Sequence, residues 1–331
     1  MKKLKKITCI VLYIIGIAIA IFSILSVFRN VELRYLKYPD FPRIQFFITA
    51  IIGLAILGVF IKKKKWYHYI LIVGLFIVLG INGYFLINYT KLVSVEVPSV
   101  TDLKKSDIPI SILLANVKMT NRNSEPLIDL IELKKPDLIL AMEVDKWWDE
   151  ELNILEKEYA YTQETINEVA YGMVLYSKYP LEDVEVEYLN NKNVPSFETT
   201  ITLADGKHFS LHCIHPVPPT HFKNLPDNAG QQEHALKKLG KKIIDRKFPT
   251  IVAGDLNDVV WSYVDELTGT KNILFDVRVG RGFYNSYHAN NFFMRWPLDH
   301  VFVTKEFRLK KLERLSKIGS DHFPIFVELV L

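Results

Sequence analysis

At 331 residues the chain is long enough for one large globular domain and an added segment. The first 89 residues hold 12 Lys and Arg against 2 Asp and Glu, out of 41 and 37 overall, so the net +4 divides into +10 there and −6 beyond. A mildly acidic remainder argues against tight nonspecific duplex binding through bulk charge. Of the two cysteines, Cys9 lies in an apolar run and Cys213 stands alone beyond it, which excludes an internal disulfide framework in the soluble part.

Three apolar runs open the chain, at about 7–28, 44–61 and 66–89. Each is near the ~20 residues that cross a bilayer, so three transmembrane helices are predicted. A cleaved signal peptide is the rival reading of the first run. Its apolar core exceeds the usual ~7–15 residues, no A-x-A site follows, and two further runs come next. Lys2, Lys3, Lys5 and Lys6 precede the first run, and Lys62, Lys63, Lys64 and Lys65 separate the second from the third. Both clusters are therefore expected in the cytoplasm. The first connection is mixed, with Arg29, Arg34, Lys37 and Arg43 beside Glu32 and Asp40. Three spans with the N-terminus inside make a multi-pass protein of the cell (inner or plasma) membrane, with everything after Tyr89 extracytoplasmic. Trp66, Tyr67 and Tyr69, and at the other end Tyr84 and Tyr89, suit interfacial belts. No charge cluster falls within the runs, so the segment reads as an anchor rather than a transporter.

Residues 90–107 read as a short polar linker, and 108–331 as one domain. Apolar runs with strand character follow at 110–116, 137–143, 173–177, 197–203, 207–215, 250–255, 298–304 and 323–330. Helices are expected near 125–134 and over 231–246, where Ala235, Leu236, Leu239, Ile243 and Ile244 fall at helical spacing. This order fits a mixed α/β domain with a large sheet core.

Several of these runs end in one polar side chain: Asn116, Glu143, His215 and Asp255. Loops just past strand ends are where α/β folds carry chemistry. Asn116 alone reads as a strand-ending turn residue. Glu143 ends an apolar run, where an unpartnered buried carboxylate would cost several kcal/mol; a salt bridge would satisfy it as well as a ligand. His215 precedes a proline and is expected to be extended. In IVAGDLND (251–258), alternation places Asp255 and Asn257 on one face, although Gly, Asp and Asn also suit a plain turn. Two Asp-His pairs follow, Asp299-His300 in WPLDHVFV and Asp321-His322 in GSDHFPI.

Taken in order, the Asn116 strand, PDLILAMEV with Glu143, YGMVLYSKYPL (171–181), the strand ending at His215, AGDLND, PLDHVFV and GSDHFPI resemble the endonuclease/exonuclease/phosphatase superfamily. These are the DNase-I-like metal-dependent phosphodiesterases and phosphatases. The resemblance covers about residues 108–331, and with the three-span start it is similar to a bacterial membrane-anchored branch. It implies a four-layer α-β-β-α sandwich preceded by the transmembrane helices. It also implies a hydrolase of phosphoric ester bonds using Mg2+ or Mn2+, in keeping with oxygen ligands and no cysteine cluster. By the same resemblance Glu143 is a metal ligand with Asn116 and Asp321 nearby. Asp255 orients or deprotonates water, and Asn257 holds a phosphoryl oxygen. His322, its tautomer fixed by Asp299, contacts phosphate or acts as a base, and His215 assists as phosphate ligand or general acid.

Two positions depart from the family pattern. Lys118 stands where some DNA-repair relatives carry Asp, which argues against repair-type endonuclease activity, and His300 stands where many relatives carry Tyr and reads as structural. Asn228 and Gln231, with His221 and Lys223, lie in the loop after His215 and are candidate substrate contacts. Arg278, Arg281 and Arg295 could bind anions, with solvated surface the favoured reading. Most of the aromatics in GFYNSYHANNFFMRW (282–296) are expected in the core; any others could stack bases or meet lipid. The expected partners are the membrane and a phosphodiester of nucleic acid or a lipid head group, with no obligate protein partner evident. A catalytically silent phosphate- or lipid-binding module is the alternative.

Overall fold

The computed structural model describes residues 2–29, 34–60, 65–105, 107–219, 231–262 and 264–331. The chain divides into two compact units, Met1–Leu92 and Val93–Leu331.

The first unit is three helices, α1 (Lys2–Leu25), α2 (Arg43–Phe60) and α3 (Trp66–Leu86). Ile19, Ala50, Leu57, Leu71, Leu75 and Val78 pack between them. Among the described residues two stretches, Cys9–Phe28 of 20 residues and Trp66–Tyr89 of 24, are long and apolar enough to cross a membrane, where three were expected; Arg43–Val59 is apolar but shorter. Between α1 and α2 the chain buries charge. Asp40 pairs with both Arg29 and Arg43, and all three are buried. Close pairing is what makes such burial tolerable. Arg43 also donates to Asn82, and Asn82 donates to Ser23 at 2.9 Å. Three charges of the first connection, Arg29, Asp40 and Arg43, thus form a buried ion cluster. Glu32, Lys62, Lys63 and Lys64 lie outside the described residues.

The second unit runs β1 (Pro109–Asn116), α4 (Glu125–Lys134), β2 (Leu138–Met142), α5 (Lys146–Leu152), β3 (Tyr161–Thr165), β4 (Met173–Ser177), β5 (Leu181–Glu187), β6 (Ser196–Thr202) and β7 (His208–Ile214). It continues with α6 (Gln231–Ile244), β8 (Thr250–Asp255), α7 (Val264–Thr268), β9 (Phe275–Asp276), β10 (Asp299–Val303), β11 (Arg308–Arg314) and β12 (Ile325–Val330). The strands form two six-stranded mixed sheets, ordered β11-β12-β1-β2-β4-β3 and β5-β6-β7-β8-β10-β9. Among these described strands only β1–β2 and β7–β8 are parallel pairs.

Side-chain alternation explains the layering. In β1, Ile112 and Leu114 enter the core between the sheets, while Leu113 and Ala115 pack outward with Leu127, Ile131 and Trp148 of α4 and α5. In the other sheet Ile251 and Ala253 of β8 face inward, and Val252 packs outward with Leu236, Leu239 and Ile243 of α6. Strands buried on both faces read as near-continuous apolar runs, as Ile112–Ala115 of β1 and Ile251–Ala253 of β8 do. The same parity puts the next inward positions, Asn116 and Asp255, between the sheets at the ends of their strands. In β10, Val301 and Val303 face inward, so Asp299 joins them from the start of its strand, directly opposite Asp255.

Part of the expected linker belongs to the second unit. Val97 is buried, the Val100 amide donates to the Leu309 carbonyl at 2.8 Å, and Arg281 donates to the Val97 carbonyl and to Ser99.

Candidate active site

One carboxylate oxygen organises the cleft where the strand ends meet. Asp255 Oδ2 accepts from Asn116 Nδ2 at 3.0 Å and lies 3.5 Å from His322 Nε2 and 3.8 Å from His215 Nε2. Its other oxygen accepts the Asn257 amide at 2.8 Å. The second hydrogen on the Asn116 amide goes to Glu143 Oε1 at 2.9 Å, so one carboxamide spans both sheets' carboxylates. Glu143 Oε2 accepts the Met119 amide at 3.2 Å. His322 Nδ1 meets Asp299 Oδ2 at 2.7 Å, leaving Nε2 turned to Asp255. Asp299 is itself held, because its amide and that of Leu298 both donate to Ser286 Oγ at 3.1 Å.

The backbone leaves the strands abruptly. Glu143, Lys118 and Asn257 all have positive φ, at 62°, 60° and 54°. Left-handed non-glycine residues concentrate where surrounding contacts fix a site. Strand alternation therefore stops at Asp255 and does not carry Asn257 onto the same face. Instead Asn257 Nδ2 donates to the Pro216 carbonyl at 3.0 Å, beside His215. Gly254 allows the tight approach of β8 to β7, since a Cβ there would overlap the Ile214 carbonyl.

Burial and charge set the protonation pattern. Burial pushes the Glu143 carboxyl up, opposed by the Asn116 hydrogen bond, and the Asp321 charge adds to the rise. Burial likewise pushes Asp255 up against the pull of His322 and His215. His322 is the reverse case: burial opposes its charge, but Asp299 and Asp255 outweigh burial and raise its pKa to about 10. Asp299 in turn stays below the usual carboxylate range despite burial, because His322 faces it. Burial pushes His215 down, and its Nδ1 has no hydrogen-bond partner among the described residues.

Of the expected site residues, Asn116, Glu143, His215, Asp255, Asp299 and His322 therefore share one cluster. Asp321 lies beside it, but its carboxylate receives Lys118 Nζ at 3.1 Å. The Asn116 carbonyl oxygen, expected to face a metal, accepts the Lys118 amide at 3.0 Å. Gln231 begins α6 and accepts from Asn191 at 2.8 Å, on the wall of a pocket shared with His215. Asn228, His221 and Lys223 lie outside the described residues. His300 turns to the outer face, where its Nε2 meets the Asp258 carbonyl at 2.8 Å.

The arginine and aromatic expectations need correcting. Arg278 is not solvated surface; it is 1% exposed, beside Asp276. Arg281 binds the 97–99 strap, and the Arg295 guanidinium lies over the Phe292 and Phe323 rings. Only Trp296 among the aromatics of 282–296 is buried, at 9% exposure, while Phe292 and Phe293 are exposed. Two aromatics missed as site residues are Tyr171, whose ring centroid is 5.3 Å from that of His215, and Tyr287, 5.0 Å from His322. The signal for Tyr171 was the glycine after it: a Cβ at Gly172 would overlap the Val144 carbonyl, next to Glu143. Nothing comparable marked Tyr287.

The most demanding donor set here is oxygen. Glu143, Asp255, Asp299 and Asp321 converge, and the groups Asp255, Asp299 and His322 could together hold an ion. The Asp299–His322 hydrogen bond already engages two of those three groups. A carboxyl such as that of Glu143, pushed up by desolvation, is what a hard divalent cation would relieve, so the chemistry of this oxygen-rich set fits such a cation.

Comparison with known proteins places the fold. No curated protein sequence matches the chain. Solved structures similar to it include D. rerio TDP2 complexed with single strand DNA product (TM-score 0.56, 16% identity, 67% of this chain and 98% of that one). The human Nocturnin catalytic domain with bound sulfate is also similar (0.53, 16%, 68% and 96%). So is an endonuclease/exonuclease/phosphatase from Bacteroides vulgatus (0.53, 17%, 67% and 98%). At such identities these likenesses speak for the fold. The sequence profile described as "Endonuclease/Exonuclease/phosphatase family" matches residues 113–322, from within β1 to the histidine paired with Asp299, and the chain belongs to that family.

Proposed function

We propose that this protein is a membrane-anchored, divalent-metal-dependent phosphodiesterase whose catalytic domain lies outside the cytoplasm. The observation that carries the reading is the convergence on Asp255: one buried carboxylate shared by Asn116, His215 and His322, with Asp299 behind the second histidine.

Each residue then has a task that its surroundings suit. Asp255, between two imidazoles, orients the attacking water and accepts its proton. His322, held protonated by Asp299 and Asp255, presents a fixed cation to the phosphoryl oxygens rather than a base. His215, kept neutral by burial and with a free Nδ1, serves proton transfer on the other side. Asn116 locks Glu143 and Asp255 in register, and Asn257, anchored on Pro216, retains one N–H for a phosphoryl oxygen. Glu143, with Asp321, would hold the divalent cation, which when bound neutralises charge developing on the phosphoryl group. Tyr171 and Tyr287 pack the two histidines into place.

The membrane reading rests on the first unit. Ile14, Ile70 and Phe76 are 64%, 62% and 60% exposed, which suits helices facing lipid rather than a soluble core. The 18 residues of α2 extend about 27 Å at 1.5 Å per residue, close to the ~30 Å hydrocarbon thickness, so a third span is reasonable in length. Lysines at the N-terminus and between α2 and α3 set the orientation. A reporter fused at Leu331 and active only in the cytoplasm would sink the topology.

The activity test is a panel with Mg2+: plasmid DNA, a phospholipid or sphingolipid, and bis-nitrophenyl phosphate. Turnover is expected, and Asp255→Ala and His322→Ala should each lose at least about 10³-fold in kcat with native circular dichroism. Retained activity in either variant refutes the residue roles. A protein that binds metal yet turns over none of the three is the silent binding module instead.

A further inference from the structure

One hairpin grows out of the cleft and ends in solvent. Tyr287 and Trp296 pair as an antiparallel bridge with stacked rings 5.9 Å apart. At the base, the Ala289 amide donates to the Asp321 carbonyl at 2.7 Å, and Tyr287 contacts the His322 ring. The loop above is internally fixed. His288 N donates to Met294 O at 3.0 Å, and Asn291 Oδ1 accepts the amides of Phe293 and Met294 at 3.0 and 3.2 Å. That ordered turn presents Phe292, Phe293 and Met294 at 74%, 79% and 44% exposure. Contiguous apolar side chains on a rigid apex mark an interaction site rather than ordinary surface.

Cations collar the apex. The Arg295 guanidinium lies 5.3 Å from the Phe292 ring and 5.1 Å from Phe323, and Arg314 lies 4.5 Å from Phe323. Exposed Lys317 reaches Asn290 at 3.4 Å. Aromatic and methionine side chains at a tip, with Arg and Lys just behind, match the bilayer interface: rings enter the acyl boundary while cations meet lipid phosphates.

We infer that the 287–296 hairpin docks on an anionic phospholipid surface and so delivers a membrane phosphodiester to the cleft at its base. The substrate part of this rests on the proposed hydrolase activity; the docking does not. A single-stranded nucleic acid is the rival occupant. It favours a basic groove lined with stacking platforms, whereas these rings project from a narrow apex. Apolar helices of membrane-crossing length in the same chain also place lipid at high effective concentration.

The test uses the full chain in nanodiscs containing phosphatidylglycerol. A nitroxide is placed at Phe293→Cys in a Cys9→Ser, Cys213→Ser background, with Ala204→Cys on a distant exposed turn as control. The label at 293 should be more accessible to oxygen than to a water-soluble nickel complex, and the label at 204 the reverse. Equal water access at both positions overturns the docking, as does immobilisation at 293 by single-stranded oligonucleotide but not by lipid. In parallel, Phe292→Ser/Phe293→Ser should lower turnover of a fluorescent phospholipid in the nanodisc by roughly tenfold or more, the scale of losing one buried aromatic. Hydrolysis of bis-nitrophenyl phosphate should be unchanged. Equal loss on both substrates overturns the delivery role. If wild-type protein cleaves neither, the hydrolase reading fails while the label still judges the docking.

Discussion

Substituting Gly254 by alanine tests how tightly the site is built into the sheet. Gly254 has φ +149°, and a Cβ there would lie under 3.0 Å from the Ile214 carbonyl oxygen and the carbon beside it. These are backbone atoms of the neighbouring strand, so no side chain can swing away. Parallel strands sit ~4.8 Å apart, and relieving the overlap requires β7 and β8 to separate by about 1 Å at their ends. Those ends carry His215 and Asp255, now 3.8 Å apart. Misplacement of that order costs about 10²-fold in rate. The backbone strain of a left-handed residue adds 1–3 kcal/mol, and with the overlap about 3–5 kcal/mol of stability should be lost, on the order of 10 °C in Tm. Gly206→Ala is the matched control: φ is +82°, but the new Cβ meets nothing within 4 Å. Thermal melts and bis-nitrophenyl phosphate turnover read both variants. A Gly254→Ala protein that melts and turns over like Gly206→Ala would refute the close approach of the two strands and the site geometry drawn from it.

Other consequences follow from single groups. Adding Mn2+ at ~100 times its Kd to metal-stripped protein should raise stability by about 2.7 kcal/mol, roughly 5–10 °C, and Glu143→Gln should abolish that rise; an unchanged shift in the variant rules Glu143 out as a ligand. His300 is buried and its pKa is pushed down to about 3, below the ~6.5 of an unfolded chain. Its neutral burial contributes fully above pH 6.5 and is lost as pH falls from there toward 3, about 2 kcal/mol by pH 5. Denaturation at pH 7 and pH 5 should therefore show a steeper loss for wild type than for His300→Gln, and parallel losses would contradict the assignment. The Lys118–Asp321 pair is partly exposed, at 39% and 19%, so Lys118→Ala should change stability by less than ~1 kcal/mol. Removing that ammonium should nevertheless tighten Mn2+ binding by roughly fivefold in calorimetry, about one screened charge interaction; weaker binding would mean Lys118 supports the site instead of competing with the ion.

How much of the fold was legible depends on where a strand sits. The eight runs read from the sequence correspond to β1, β2, β4, β6, β7, β8, β10 and β12, which are the interior strands of both sheets. The four that were not read, β3, β11, β5 and β9, are the four sheet edges. YTQET, RLKKLER and LEDVEVE carry polar and charged side chains because an edge exposes one row of backbone groups and must resist pairing with other chains. Their strand character comes from a partner's register: β5 follows β6 from Leu181↔Ile201 to Glu187↔Ser196. Only β5 reports it in its own periodicity, through the alternation of Val184 and Val186 with Asp183, Glu185 and Glu187.

The site obeys the same logic from the other side. Asn116, Asp255 and Asp299 were legible because each continues or opens an apolar strand with a side chain that cannot be left unpaired between two sheets. Glu143 and His322 lie one and three residues outside β2 and β12, close enough that motif spacing still pointed to them. What sequence could not give is the support around them. Ser286 reaches Asp299 across thirteen residues of irregular chain, and Tyr287 reaches His322 through an isolated bridge. Ser286 leads into, and Tyr287 opens, the hairpin whose apex is Phe292 and Phe293, so one irregular segment both steadies the Asp299–His322 pair and exposes the rings. A stretch dense in aromatics therefore could not be sorted into core and surface by composition: the same fifteen residues supply a buried Trp296 and two of the most exposed aromatics in the domain, because a hairpin needs a packed base to hold an unpacked tip.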